Sequence, residues 1–94
     1  MARTIKDLNR LVERHNDCVM FVLPMEDGCT CGTLLRFNSA LGEYEVDEYT
    51  RIQGIWCCDM FCQSYCRDEL EDAATDHPEV LTADFEPSDG LKFQ

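Results

Sequence analysis

The chain's most reactive side chains are its seven cysteines, Cys18, Cys29, Cys31, Cys57, Cys58, Cys62 and Cys66, in 94 residues. Six of them fall in two clusters. Cys29-Thr30-Cys31-Gly32 places two thiols on a short glycine-flanked segment, and Cys58 and Cys62 straddle an expected helix start. Zinc takes four such ligands at about 2.3 Å in a tetrahedral array. Cys29, Cys31, Cys58 and Cys62 are therefore the expected ligands of a structural zinc ion, with the free N–H groups of the helix start favouring thiolates. Other sets remain open. Cys57 can replace Cys58, Cys62 and Cys66 can form the second pair from one helical face, and His15 or Cys18 can add a ligand. The thiols can also be small buried apolar groups, as free cysteines often are, or join in a disulfide. Cys18 is expected in the core.

Catalysis is not expected. A nucleophilic thiol needs an activating base, and the only histidines, His15 and His77, have no cysteine beside them in the pattern. There is no Cys-x-x-Cys redox pair, no phosphate-binding glycine loop and no His-Glu-x-x-His.

The carboxylates form the second pattern. Nineteen Asp and Glu stand against eight Lys and Arg, for a net charge of −11. That charge disfavours direct binding to nucleic acid or an acidic membrane, both of which need a basic footprint. The first 25 residues are slightly basic, so the acidic excess lies beyond them. Glu43, Glu45 and Asp47 alternate along an expected strand, projecting from one face at a repeat of about 6.8 Å. Asp68, Glu69, Glu71, Asp72 and Asp76 crowd the end of an expected helix. Acids at a helix C-terminus oppose the dipole and cost a few tenths of a kcal/mol each, a local disadvantage that suggests use in binding. The alternative is plain solubility. Tyr49 and Trp56, near these acids, are candidate apolar anchors for a partner, although Trp56 fits a core or zinc-shell role better.

The elements that must position these groups are read from periodicity. Thr4 caps a helix over 4–16, with Asp7 at the capping-box offset and Ile5, Leu8, Leu11 and Val12 on its apolar face. Asn16-Asp17 is a turn. Residues 18–23 read as a strand apolar on both faces, hence interior to its sheet, and 26–28 as a turn. Strands over 33–37 and 43–52 form a hairpin. Asp59 reads as the N-cap of a second helix over 59–74, with Phe61, Cys62, Tyr65, Cys66, Leu70 and Ala73 inward. The expected fold is α+β, an antiparallel sheet of about three strands between the two helices. Residues 1–76 form the domain and 77–94 a tail, extended or partly disordered.

Two resemblances follow. Over residues 29–66, the order of thiol pair, hairpin and helix bearing a second pair resembles a treble-clef or zinc-ribbon module, which implies a zinc-stapled fold. The first pair is one residue shorter than the family's Cys-x-x-Cys, the second one longer. By size and acidity, the chain is also similar to phage-encoded inhibitors that mimic DNA, including anti-CRISPR and anti-restriction proteins. No residue motif carries that likeness. The expected function is a non-catalytic protein that binds and blocks a basic, nucleic-acid-binding protein. The alternatives are a zinc-stapled adaptor and a thiol protein that handles metal or redox equivalents. Met1 to Asp7 lacks a signal-peptide pattern, and the apolar run at 18–23 is too short to span a membrane. A cytoplasmic setting with reduced thiols is therefore expected.

Overall fold

The computed structural model describes residues 2–24 and 29–94, with the backbone alone at 60–62 and 88. The turn expected at 26–28 lies outside the described residues. Helix α1 is Ile5–Arg14. The Thr4 hydroxyl accepts from the Asp7 N–H at 3.1 Å, and the Asp7 carboxylate accepts from the Thr4 N–H at 3.3 Å, so the box satisfies two donors that a helix start leaves unpaired. Asn16 and Asp17 then take positive φ, 59° and 61°, residue types that tolerate the left-handed region in a tight connection.

Five strands follow: β1 Cys18–Pro24, β2 Thr30–Asn38, β3 Glu43–Ile52, β4 Ile55–Cys66 and β5 Asp84–Pro87. They form one sheet in the order β4-β3-β2-β1-β5, each pair antiparallel. The sheet thus exceeds the expected three strands, and the first half of the helix expected over 59–74 is strand. Helix α2 begins only at Leu70 and ends at Asp76, after a 3-10 turn at Arg67–Glu69.

The reason lies in residues 52–66. Ile52-Gln53-Gly54-Ile55 is a two-residue hairpin loop in which Gln53 and Gly54 both take positive φ, 53° and 82°, the geometry that suits strand twist. The segment after it is rich in Ile, Trp, Cys, Phe and Tyr, weak helix formers that favour a pleated surface. Its apolar spacing fits a helix, but cross-strand pairing with β3 wins. Asp59 lies within β4 rather than capping a helix.

In the region expected as a tail, helix α3 (Glu79–Thr82) leads into β5, which pairs with β1. β1 therefore lies between β2 and β5, and both of its faces are covered. On one face Val19 and Phe21 join Leu35, Tyr44 and Val46 beneath Leu8 and Val12 of α1, Leu70, Ala73 and Ala74 of α2, and Val80 of α3. On the other, Met20 and Leu34 meet Trp56, flanked by Cys18, Val22, Tyr49 and Leu91. The C-terminal residues run beside the start of β4. The Trp56 N–H donates to Lys92 O at 2.8 Å, and the Gln94 N–H to Trp56 O at 3.1 Å. Among the described residues, no helix is long and apolar enough to cross a membrane.

Candidate functional site

β3 and the segment after β4 carry the acids, and the register brings the two together. Glu43, the first residue of β3, pairs with Cys66, the last of β4, and Glu45 pairs with Ser64. The 3-10 turn that starts at Arg67 then carries Asp68 and Glu69 past the same corner. Glu69 Oε1 accepts from the Cys66 N–H at 3.1 Å. Cys66 is exposed, and its thiol is pushed up from the ordinary value. The leading cause is a hydrogen bond with Glu69, followed by the Glu69 charge, with Glu43 and Asp68 adding to it. Carboxylates from two distant stretches of sequence thus act on one thiol.

The cluster extends along α2. Glu71, Asp72 and Asp76 are exposed. Tyr65 of β4 donates its hydroxyl to Asp76 Oδ2 at 2.7 Å. Desolvation first, then the Asp76 hydrogen bond and the charges of Asp76 and Asp72, push the phenol up to about 12. Tyr65 is thus part of the acidic corner, although its sequence spacing placed it on an inward helical stripe. Only recognition of 55–66 as a strand would have found it.

The helix boundary also changes the meaning of these acids. Glu71 and Asp72 occupy the first turn of α2, preceded by Asp68 and Glu69. Acids near a helix N-terminus are favoured by the dipole. The local cost inferred from a helix ending near 74 therefore does not exist at these four positions. Of the set, Asp76 alone sits at the C-terminal end.

Asp47 does not join the cluster. It is 3% exposed, on the sheet face opposite the helices. Its Oδ2 lies 2.9 Å from Arg36 Nη2, which also reaches Glu45 at 3.6 Å. Tyr49 lies on the same face, half-buried, with its ring 5.3 Å edge-to-face from Phe93. Burial, followed by the Asp47 and Cys58 charges, pushes its phenol up. Trp56 is buried, and the Arg51 guanidinium stacks 4.8 Å over its ring. Arg51 is held in turn by Glu86 of β5 at 3.0 Å.

The thiols are distributed differently from the expected zinc set. Cys31 pairs with Thr50, which pairs with Cys57, so β3 separates the two cysteines. Gly32 and Cys58 both pair with Tyr49. Pleating puts Cys58 on the Tyr49 face and Cys31, beside Gly32, on the other. The helix start expected to favour thiolates near residue 59 is strand. The Cys62 side chain lies outside the described residues. Among the described residues Cys18, Cys31, Cys57 and Cys66 form no disulfide, and burial pushes the Cys18 thiol up. Among the described residues, no group of three or more His, Cys, Asp or Glu is placed to hold a metal ion. The His15 ring is tilted 48° to that of Phe85, with centroids 5.3 Å apart, and His77 Nε2 lies 2.8 Å from Gln63 Oε1.

Some of the cations pack within the fold. Arg3 donates to the carbonyls of Val80 and Ala83, and Arg67 lies 5.6 Å over the Phe37 ring. Lys6 and Arg67 line one surface pocket with Asp68 and Glu71, so cations border the acidic corner on that side. Comparison with known proteins gives no match to a family model, to a curated protein or to a solved structure.

Proposed function

We propose that the protein is a non-catalytic interaction protein. Its acidic corner, made of Glu43, Glu45, Asp68, Glu69, Glu71, Asp72 and Asp76, binds the basic surface of a nucleic-acid-binding protein and blocks it. The observation that carries this reading is the convergence of Glu43, Asp68 and Glu69 around Cys66. It sets half-buried Glu43 of β3 at one corner with exposed Asp68 and Glu69 of the 3-10 turn. A field of one sign speeds encounter with a partner of opposite sign and repels nucleic acid itself. Asp47, buried against Arg36, contributes to the fold rather than to that field, and Tyr49 is a packing residue of the second face.

The test is a binding measurement against a panel of basic DNA-binding proteins, with double-stranded DNA as competitor. Binding should fall steeply as salt rises, and DNA should displace the protein from its partner. A Glu43→Lys/Asp68→Lys/Glu69→Lys variant, verified as folded by circular dichroism, should lose binding by about tenfold or more, a conservative figure for reversing three charges at a complementary interface. Undiminished binding by that variant would sink the reading.

A further inference from the structure

The cations of this acidic chain are gathered rather than spread. Residues 3–14 hold four of the eight Lys and Arg and two of the nineteen Asp and Glu. Three of those four cations meet at one place. Arg3, Arg10 and Arg14 line a surface hollow of about 270 Å³, with Leu11 and Asp7 completing its wall. Arg10 and Arg14 stand about one turn apart on α1 and are exposed. Arg3 precedes the helix and is fixed in place. Its backbone N–H donates to Leu81 O at 2.7 Å, and its guanidinium donates to Val80 O at 3.2 Å and to Ala83 O at 2.7 Å. The same guanidinium carbon lies 5.3 Å from the Phe21 ring centre and 5.7 Å from that of Phe85. A guanidinium has more N–H donors than those two bonds use.

The chain's own acids leave these arginines uncompensated. Among the described residues, none of the three makes an ion pair within 4.0 Å. Asp7, the one carboxylate in the wall, accepts from the Thr4 N–H, and Glu13, the other acid of the segment, accepts from Asn9. Like charges held together repel one another, and an anion placed among them removes that repulsion. We propose that the hollow is a binding site for a phosphate group carried by a small molecule. The planar guanidinium fork matches phosphate oxygens in a bidentate way, and several forks at one place supply more donors than a singly charged carboxylate uses. Because Arg3 is already held, less side-chain freedom is lost on binding. Size and field set the upper limit. The hollow is at the small end of ligand sites, and a nucleic-acid strand running past it meets the acidic remainder of the chain, which repels it. Lys6 and Asn9 of α1 border the acidic corner's pocket, whereas Asp7, Arg10, Leu11 and Arg14 border this one. The two sites therefore lie on different sides of the helix.

Titration of the full ¹⁵N-labelled chain with inorganic phosphate, followed by nuclear magnetic resonance at a constant ionic strength of about 0.15 M, tests this. The Nε–H signals of Arg10 and Arg14 and the Leu11 amide should shift saturably, with a dissociation constant of about 1 mM. Glycerol phosphate should give the same shifts, as a phosphate carried by a small molecule. Chloride at the same ionic strength and a short DNA duplex should give no saturable shift. Arg10→Gln and Arg14→Gln place good helix formers at exposed positions. Each should weaken phosphate binding by about tenfold, the loss of one charge-assisted hydrogen bond. Lys92→Gln removes the same charge beside the start of β4 and should change binding less than about twofold. The absence of a saturable shift with either phosphate, shifts that chloride reproduces, saturable binding of the duplex through the same residues, or undiminished phosphate binding by a folded Arg10→Gln/Arg14→Gln variant would each overturn the proposal. Binding of a basic partner is measured separately, so the two readings fail independently.

Discussion

Trp56 lies against the backbone of Gly32, two strands away. A Cβ added at Gly32 would stand 2.7 Å from the indole Cζ3, 2.8 Å from Cη2 and 2.6 Å from Met20 Sδ. The Met20 thioether can turn aside, but the indole is clamped between this backbone and the Arg51 guanidinium. Gly32 therefore serves close approach of a ring rather than a turn, and the second face of the sheet packs around it.

Gly32→Ala should accordingly destabilise the fold by about 2–3 kcal/mol, the upper part of the range for overpacking a filled site. Urea unfolding followed by the emission of Trp56, the only tryptophan, reads both the loss and the ring's surroundings. A cost below about 0.5 kcal/mol, within the scatter of neutral surface changes, would show that the ring does not lie there.

The start of α2 makes a second prediction. Glu71 sits in the first turn and Thr75 in the last. Glu71→Lys should cost about 0.3–1 kcal/mol, and Thr75→Lys should be neutral or slightly stabilising, because the dipole favours anions at one end and cations at the other. Thermal unfolding of both variants at low salt decides it. Stabilisation by Glu71→Lys would restore the helix that ends near residue 74, with Glu71 in its last turn.

That boundary shows where the sequence was legible. The capping box at Thr4 and Asp7, the doubly apolar run of β1 and the alternation of β3 each carried one dominant period, and the elements lie there. Residues 59–74 carried a helical one, since Phe61, Cys62, Tyr65, Cys66 and Leu70 fit a stripe, while the hairpin loop at Gln53-Gly54 that decides their structure lies before them. Pairing with β3 arbitrated, and periodicity within 59–74 holds no information about that partner. β5 was illegible for a related reason. Asp84-Phe85-Glu86-Pro87 has almost no strand character alone and is a strand because β1 offers it an edge. Of the candidate site, the acids were legible as types, but their meeting at Cys66 depends on the register of β3 against β4.

Tyr65 gives a pH dependence. Its phenol is raised to about 12 in the folded protein, against about 10 in an unfolded chain. The folded state therefore favours the protonated phenol. The resulting stability is fully present below pH 10 and is lost as pH rises from about 10 to about 12. Tyr65→Phe removes the hydrogen bond to Asp76 and should be less stable than the parent at pH 8, with the gap closing towards pH 12. Denaturant unfolding of both proteins across that range measures it. A gap that stays constant would mean that the phenol titrates normally.

Metal removal should leave the fold standing. Cys31 and Cys58 lie on opposite faces of the sheet, and β3 lies between Cys31 and Cys57. Ligands at about 2.3 Å from one ion cannot bridge those positions while the ladders persist. Chelation under reducing conditions should shift the melting temperature by less than about 2 °C, equivalent to well under 1 kcal/mol for a domain of this size. Stoichiometric zinc whose removal unfolds the protein would demand a different pairing of β2, β3 and β4.

Arg36 and Asp47 should respond unequally to truncation. The Asp47 side chain is 4% exposed and the Arg36 side chain 41%. Asp47→Ala leaves a guanidinium that still reaches Glu45 at 3.6 Å and can hydrate, so the loss should be about 1 kcal/mol, near the value of a partly exposed pair. Arg36→Ala strands a buried carboxylate. Its Oδ1 has no hydrogen-bond partner among the described residues, so Oδ2 would lose the one cation that compensates it. That loss should reach about 3 kcal/mol, as for a buried pair broken on one side. Equilibrium unfolding of the two single variants and of Arg36→Ala/Asp47→Ala measures the asymmetry. The double variant should be more stable than Arg36→Ala alone, since it removes the stranded charge. If Asp47→Ala proves the costlier single change, Asp47 is not the buried member of the pair.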